Sequence, residues 1–294
     1  MITRVTTQTM MRSALNNLQS NMSQMAKLQE QASSQKLINR PSDDPTATAN
    51  ALSIRAEQRA TEQYGRNISD GNAWLTTVDS ALSNSSALLI KIRDLTVKGA
   101  NDGALSPTAK EAIAVELESL GAELLSQANA TYLGRSVFAG NSDAGQAFSP
   151  TFDFSGAAGS SVERRVSSGT TVRVDADGAA AFGDGAQSVF ALVSTIVSDL
   201  RSGTNVGTHL NSIDAHQDAL LGQHATVGAR HAEILRAGEV NVEKSVSLES
   251  QRSDVEDVDL AKIILDLQVQ QVSYQTALAV TARVLQPTLM DFLR

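Results

Sequence analysis

Two rows of apolar residues with heptad spacing stand at opposite ends of this chain of 294 residues. Both alternate steps of four and three residues. The apolar members of the first row are Met11, Leu15, Leu18, Met22 and Met25. Those of the second row are Leu260, Ile264, Leu267, Tyr274, Leu278 and Leu285. A helix with such a row buries it against another helix. We therefore predict two long amphipathic helices that pair with each other and with neighbouring copies.

The same rows contain one glutamine each, Gln29 and Gln271. A polar residue inside an apolar seam can fix the register of two helices, and we expect these two to do so. A surface helix lying on a globular core would show the same apolar spacing. The spacing alone therefore predicts the helices and leaves their partner open.

Composition favours helix packing and excludes several kinds of function. Apolar residues make up 41% of the chain, but only seven Phe, three Tyr and one Trp are among them, so the core must be mostly aliphatic. Aliphatic side chains suit long seams between helices. The net charge of −8 argues against nucleic-acid binding, which needs clustered cations. The absence of cysteine excludes disulfides, thiolate nucleophiles and Cys-ligated metals.

The chain has neither an apolar stretch of about 20 residues nor the apolar core of a cleavable secretory signal at its start. We therefore expect no membrane insertion. A chain without cysteine is also compatible with secretion or with passage through a narrow export channel. If this protein leaves the cell, a dedicated machine must carry it.

Helix boundaries can be predicted from capping residues. Asp44 and Pro45 are typical of the N-cap and the first position of a helix, which should run to Gly99. Ser106 and Pro107 start another helix by the same logic. A further helix should begin at Ser188, break around residues 203–207 and resume at Leu210, with an interruption near residues 247–254.

A region rich in Gly, Ala and Ser, residues 141–187, is predicted to be a small β-rich insert. Residues 162–166 and 172–174 alternate in the strand sense, and Asp177-Gly178 is a typical hairpin turn. We predict a mainly α protein divided into a terminal assembly segment, the N-terminal part of a helical rod, the insert, the C-terminal part of the rod and a second assembly segment. Their ranges are 1–40, 41–140, 141–187, 188–252 and 253–294.

No catalytic or cofactor-binding motif is present. The four histidines, His209, His216, His224 and His231, recur every seven or eight residues, which is roughly 10 Å along a helix and too far apart for one metal ion. Packed or interfacial histidines are the better interpretation. The acidic residues between Asp254 and Asp259 lack the glycine turn of a calcium loop. They favour a solvated or Arg-paired helix start, with Arg252 nearby.

Five ordered motifs connect the chain to a known family. They are Leu37-Ile-Asn-Arg-Pro-Ser-Asp-Asp-Pro45, Asn67-Ile-Ser-Asp-Gly-Asn-Ala-Trp-Leu-Thr-Thr-Val-Asp-Ser-Ala-Leu82, Ile92-Arg-Asp-Leu-Thr-Val-Lys-Gly-Ala-Asn101, Tyr132-Leu-Gly-Arg-Ser-Val-Phe-Ala-Gly140 and Arg252-Ser-Asp-Val-Glu-Asp-Val-Asp-Leu-Ala261. In this order they resemble the bacterial flagellin family. Pro45, the short insert and the closing residues 285–294 are more similar to the hook-associated proteins of the hook-filament junction than to flagellins.

The resemblance implies a flagellin-like elongated helical bundle with no enzymatic activity and no cofactor. It implies a structural subunit at the hook-filament junction, exported through the flagellar type III apparatus without a cleaved signal peptide and required for motility. Its partners would be copies of itself in a ring, the other junction protein, flagellin and a flagellar export chaperone. The family motifs place Arg40, Asp43, Asp44, Arg252 and Glu256 at charged contacts of the helical body.

Two alternatives remain. A filament flagellin would show most of the same motifs. Since short flagellins exist, the small size of the insert does not decide between the two. A metal-dependent enzyme that uses the histidine row belongs to a different class of protein, and it has only the weak histidine spacing in its favour.

Overall fold

The computed structural model describes residues 2–101, 105–157 and 159–284. The chain folds into two compact units. The terminal unit combines the residues up to Arg59 with those from Ser245 onward, and the central unit comprises Ala60–Lys244. The division falls within two long helices. The division into five segments that was drawn from the sequence stays a prediction.

The architecture is mainly α, as predicted. The helices are α1 (Ile2–Ser34), α2 (Pro45–Gly99), α3 (Pro107–Ala128), α4 (Gly178–Phe182), α5 (Val189–Ser202), α6 (Leu210–Glu256) and α7 (Leu260–Val284), and short 3₁₀ turns precede α5 and α6. The strands are β1 (Thr131–Tyr132), β2 (Arg135–Ser136), β3 (Glu163–Arg165) and β4 (Thr171–Arg173), which form two antiparallel hairpins. None of the described helices has a stretch long and apolar enough to cross a membrane.

Capping residues set the helix starts where the sequence predicts them. The side chains of Asp44, Ser106 and Ser188 each accept a hydrogen bond from the amide three residues further on, at 2.9, 3.2 and 3.2 Å. These bonds satisfy backbone donors that have no partner within the helix. Pro45 and Pro107 occupy the first helical positions, where the missing N–H is not needed.

The core of the central unit combines an aliphatic row with an aromatic cluster. Ile213, Leu220, Val227 and Ile234 recur every seven residues along α6 and are fully buried. The cluster consists of Phe138, Phe148, Phe182 and Phe190, and the ring of Phe182 lies 5.3 Å from that of Phe138 and 5.7 Å from that of Phe190. Four of the seven phenylalanines therefore pack together, two within the β-rich insert and two beside it in sequence, and aliphatic residues form the buried row of α6.

The insert contains the predicted strands, but its turn was predicted wrongly. Hairpin β3–β4 pairs Arg164 with Val172, and residues 166–170 connect its two strands. Asp177 accepts a hydrogen bond from the amide of Ala180 at 3.2 Å and begins α4. An Asp before Gly can cap a helix as well as form a hairpin turn, and the pairing partners of the strands decide between the two.

The interruption predicted near residues 247–254 is also wrong, because α6 continues to Glu256. That stretch contains neither Gly nor Pro, and its polar side chains are compatible with a helix surface. The break falls at residues 257–259, where the Asp259 carboxylate accepts a hydrogen bond from the Ala261 amide at 3.0 Å and caps α7.

Candidate assembly interface

Helices α1 and α7 pack along each other in the terminal unit. On α1 the side chains of Ala14, Leu18, Asn21, Met25, Leu28 and Ala32 are withdrawn from solvent and follow the four-three spacing. Gln31, beside this row, is buried and its amide donates to the Leu37 carbonyl at 2.8 Å. The withdrawn side chains of α7 follow the same spacing; they are Ile263, Leu267, Gln270, Tyr274, Ala277 and Thr281. Each helix therefore contributes one heptad row to a common seam.

The predicted seam residues divide into two groups. Leu18, Met25, Leu267 and Tyr274 lie in the α1–α7 seam and are half-buried. The second group, here called the outer apolar row, is more than 40% exposed; it consists of Met11, Leu15 and Met22 on α1 and Leu260, Ile264 and Leu278 on α7. Leu285 lies outside the described residues. Pairing of the two helices thus leaves an apolar face on each of them in solvent.

The polar residues that meet across the seam differ from the predicted ones. Gln29 and Gln271 are exposed. The Gln270 amide instead donates to the backbone and side-chain oxygens of Asn21, at 3.2 and 3.4 Å. The seam follows a row of residues that is displaced around each helix from the predicted row. Gln270 and Asn21 belong to this displaced row, and therefore they meet. The members of the predicted row that lie outside the seam remain in solvent.

A buried carboxylate, Glu256, gathers three cations at the end of α6. Its side chain is only 5% exposed. It accepts two hydrogen bonds from the Arg55 guanidinium at 2.7 Å each and one from the Lys36 ammonium at 2.8 Å. Arg252, one turn earlier on α6, lies at 3.4 Å. We call these four residues the Glu256 cluster.

The cluster keeps Glu256 ionised. The hydrogen bond from Arg55 is the largest cause that lowers the pKa of Glu256, to about 2, and Lys36 lowers it further against the opposing effect of burial. The pKa of Arg252 is raised, first by its hydrogen bond to Glu249. Because the charges are mutually satisfied, the carboxylate can remain buried without an unpaired charge.

The backbone around the cluster joins the end of α1 to the link between α6 and α7. The Leu37 amide donates to the Glu256 carbonyl at 2.7 Å, and Lys36 forms an antiparallel bridge with Asp257. Gln35 has a left-handed φ of 56° where α1 has just ended, a conformation that costs energy for a residue other than glycine. These contacts bring the C-terminal end of α1 beside the N-terminal end of α7.

Not all of the residues singled out by the family motifs lie in this cluster. Arg252 and Glu256 do. Arg40 is exposed beside Glu30, at 3.3 Å, and its amide donates to Asp43, while Asp44 caps α2.

Lys36 and Arg55 were missed by the sequence analysis. Arg55 follows the mostly apolar run Ala-Leu-Ser-Ile. A cation directly after such a run was the only local feature that could have drawn attention to it. Nothing in the sequence identifies its partner.

The histidine row lies in the central unit, where its members contact different side chains. His209 pairs with Asp199 at 2.7 Å and His224 with Asp79 at 2.8 Å. The ring of His231 bonds to Asn72 at 2.7 Å. Burial lowers the pKa of His216. Within the described part of the chain, no three His, Asp or Glu side chains converge in the way that a metal ion requires.

Comparison with known proteins connects this architecture to bacterial flagella. The bacterial flagellin N-terminal helical region matches residues 5–143. Flagellar hook-associated protein 3 of Salmonella typhimurium is 24% identical over 93% of this chain and 94% of its own length. The flagellar filament 30.7 kDa core protein of Treponema maltophilum is 26% identical over 86% of each chain.

The fold is similar to a solved structure. A putative flagellar hook-associated protein from Vibrio parahaemolyticus superposes with a TM-score of 0.67 at 23% identity, over 73% of this chain and all of that one. The match to the flagellin N-terminal helical region and the similarity to hook-associated protein 3 confirm the resemblance inferred from the ordered motifs.

Proposed function

From its relationship to the flagellins and hook-associated proteins of bacterial flagella, we propose that this chain is a structural subunit of the flagellum that forms the junction between hook and filament. Filament attachment, and therefore motility, depends on it. The similarity to hook-associated protein 3 extends over nearly the whole chain and supports this assignment. The relatives are structural proteins, so we propose no catalytic activity.

The single observation that carries the proposal is the outer apolar row. Leu15 and Met22 are 55% and 58% exposed although they stand on the most regular apolar row of α1. Fully burying an exposed Leu or Met side chain is worth roughly 1.5–3 kcal/mol, and roughly half of that remains to be gained at each of these two. Exposed apolar faces on both paired helices mark an interaction surface that a single chain leaves uncovered.

The partners that we propose are those of a subunit that lies between the hook and the filament. Around the ring the outer apolar row meets copies of this chain. Along the axis the subunit contacts the other hook-filament junction protein on one side and flagellin on the other. We further propose an extracellular location at the junction, reached by flagellar export with a chaperone.

A substitution in the outer apolar row tests the proposal. In a strain lacking the native gene, a Leu278→Asp variant should leave hooks intact in electron micrographs while flagellin appears in the medium. Gln275→Asp, which places the same charge at an exposed polar position of α7, should restore filaments. The emission of Trp74, the single and buried tryptophan, reports whether the central unit stays folded. Normal filaments on the Leu278→Asp strain would refute the proposal.

A filament flagellin remains the second candidate, because a filament core protein matches most of the chain. Immunogold labelling distinguishes the two. Label confined to the tip of the hook supports the junction subunit. Label spread along the filament would replace it with the filament subunit.

A further inference from the structure

Leu133 is 82% exposed, more than any other large apolar side chain of the described residues. It lies at the tip of hairpin β1–β2, where Tyr132 pairs with Arg135 and two residues form the turn. Both turn residues have positive φ, 49° at Leu133 and 79° at Gly134, as a type I′ turn requires. Asn adopts that conformation more readily than Leu. The stability of a single chain therefore does not explain a leucine here.

The hairpin is held firmly enough to present this side chain. The ring of Tyr132 lies 5.5 Å from that of buried Trp74, and the Arg135 guanidinium lies 6.0 Å from the same ring. Arg135 also donates to the Asn141 side chain at 2.9 Å. Among the described residues, Arg135 has no carboxylate partner. The tip thus combines a projecting apolar side chain with an unmatched positive charge.

An apolar groove of about 260 Å³ lies between α2 and α6 in the same central unit. Its floor includes Ile68 and Ile234, which are buried, and its rim includes Leu235 and Val242, which are 53% and 64% exposed. In other proteins an apolar cavity of about 150 Å³ already admits a benzene ring. This space, called the α2–α6 groove below, is therefore large enough for a leucine side chain.

Two glycines inside helices, Gly65 and Gly238, keep the groove open. Glycine in a helix interior is less stable than alanine. A Cβ at Gly238 would lie 3.5 Å from the Ile68 side chain, an ordinary contact, so packing within the chain does not require glycine there. A Cβ at Gly65 would approach the Asn241 side chain at 3.1 Å. Packing within the chain therefore does not explain why residue 238 is a glycine.

The hairpin and the groove lie on different sides of α2. On α2, Trp74 contacts hairpin β1–β2, and Asn67 and Asp70 contact hairpin β3–β4 on the same side of the helix. The residues of α2 that line the groove include Gly65, Ser69 and Asn72. At 3.6 residues per turn these two sets point to roughly opposite sides of the helix. A chain with complementary features on opposite sides can repeat one contact from copy to copy, which closes into a ring or continues as a helix.

We propose that Leu133 of one copy inserts into the α2–α6 groove of a neighbouring copy. Charge complementarity supports a second copy as the occupant. Glu62 and Glu239 lie within one turn of the groove-lining residues and form no ion pair among the described residues, so they can face the unmatched Arg135 of the incoming hairpin. Arg66, also near the rim, contacts Gln63 of its own helix. The inference rests on the proposed function, since it supplies a contact between subunits.

Disulfide trapping tests the contact directly, because the chain contains no cysteine. The full-length variant with Leu133→Cys and Ser69→Cys, expressed as the sole copy, should give a ladder of linked multimers when isolated flagella are oxidised and run without reductant. Each single substitution should give no ladder beyond a dimer. Leu133→Cys combined with Glu116→Cys on α3 is the matched control and should not form one. Monomer alone from the first pair in flagella that carry filaments, or an equal ladder from the control pair, would overturn the contact.

A second variant separates assembly from folding. Leu133→Asn suits the left-handed turn, so the melting temperature of the isolated chain should be unchanged or higher, whereas filament attachment should be lost or reduced. Normal attachment would overturn the inference. Immunogold labelling distinguishes failure of this inference from failure of the proposed function. A disulfide ladder together with label along the filament would contradict only the junction assignment. Label at the hook tip without a ladder would contradict only the contact between Leu133 and the α2–α6 groove.

Discussion

At the residue scale, one buried carboxylate joins three separate segments of the terminal unit. Glu256 on α6 binds Arg55 on α2 and Lys36 in the link after α1. The sequence motif identified Glu256 and Arg252, which are four residues apart. It could not identify Arg55, because a partner 201 residues away is chosen by the fold and not by any local pattern.

Removing this carboxylate should leave three cations without their common partner. We expect Glu256→Gln to weaken the packing of α2 against α6 in the terminal unit by roughly 1–2 kcal/mol, since the charge-assisted hydrogen bonds from Arg55 are lost while the cations left behind are partly exposed to solvent. Chemical denaturation followed by circular dichroism measures the change. The exposed Glu249 also pairs with Arg252, and Glu249→Gln should cost under about 0.5 kcal/mol. Equal effects of the two substitutions would contradict the role assigned to Glu256.

The same carboxylate predicts a pH dependence. Its pKa falls from an ordinary value of 4.5 when unfolded to about 2 when folded. A lowered pKa stabilises the fold above about pH 4.5 and loses that contribution as the pH falls towards about 2. Between these values the stability of the native chain should therefore decrease more steeply than that of Glu256→Gln. Parallel curves for the two proteins would show that Glu256 does not titrate with folding.

At the scale of elements, the sequence predicts helices well where a cap or a breaker is present. Asp44, Ser106 and Ser188 each satisfy amides of the helix that they begin, a local effect that local sequence records. Asp177 was wrongly predicted to lie in a hairpin turn because Asp before Gly occurs both in hairpin turns and at the N-cap of a helix. The α1–α7 seam was displaced from the predicted row because the spacing of apolar residues shows that a helix has an apolar face but does not decide which neighbouring row, here the one with Ala14, Asn21 and Leu28, faces the other helix.

The aromatic cluster gives a prediction for the central unit. Phe182 is fully buried and its ring contacts those of Phe138, Phe148 and Phe190. We expect Phe182→Ala to destabilise the central unit by roughly 3–5 kcal/mol, through lost burial and a residual cavity. A thermal melt followed by the emission of Trp74 measures the effect. The exposed Leu133 is the control, and Leu133→Ala should leave the melt almost unchanged. A small loss at Phe182 would show that the cluster is not the core of this unit.

At the scale of the whole molecule, the two units are suited to different tasks. The central unit has a continuous buried core that includes the aromatic cluster and the aliphatic row of α6. The terminal unit relies on one seam between α1 and α7 and on the Glu256 cluster, and it exposes apolar side chains along both helices. A helix pair with little core is marginally stable until another surface covers it. We therefore expect the terminal helices to become fully ordered only on assembly.

Hydrogen exchange of the isolated chain and of the assembled flagellum tests this expectation most directly. The account predicts that amides of residues 8–34 and 260–283 exchange rapidly in the isolated chain, whereas those around the aliphatic row of α6 are protected. In the assembly the terminal amides should become as protected as the central ones. Strong protection of residues 8–30 in the isolated chain, unchanged on assembly, would contradict it.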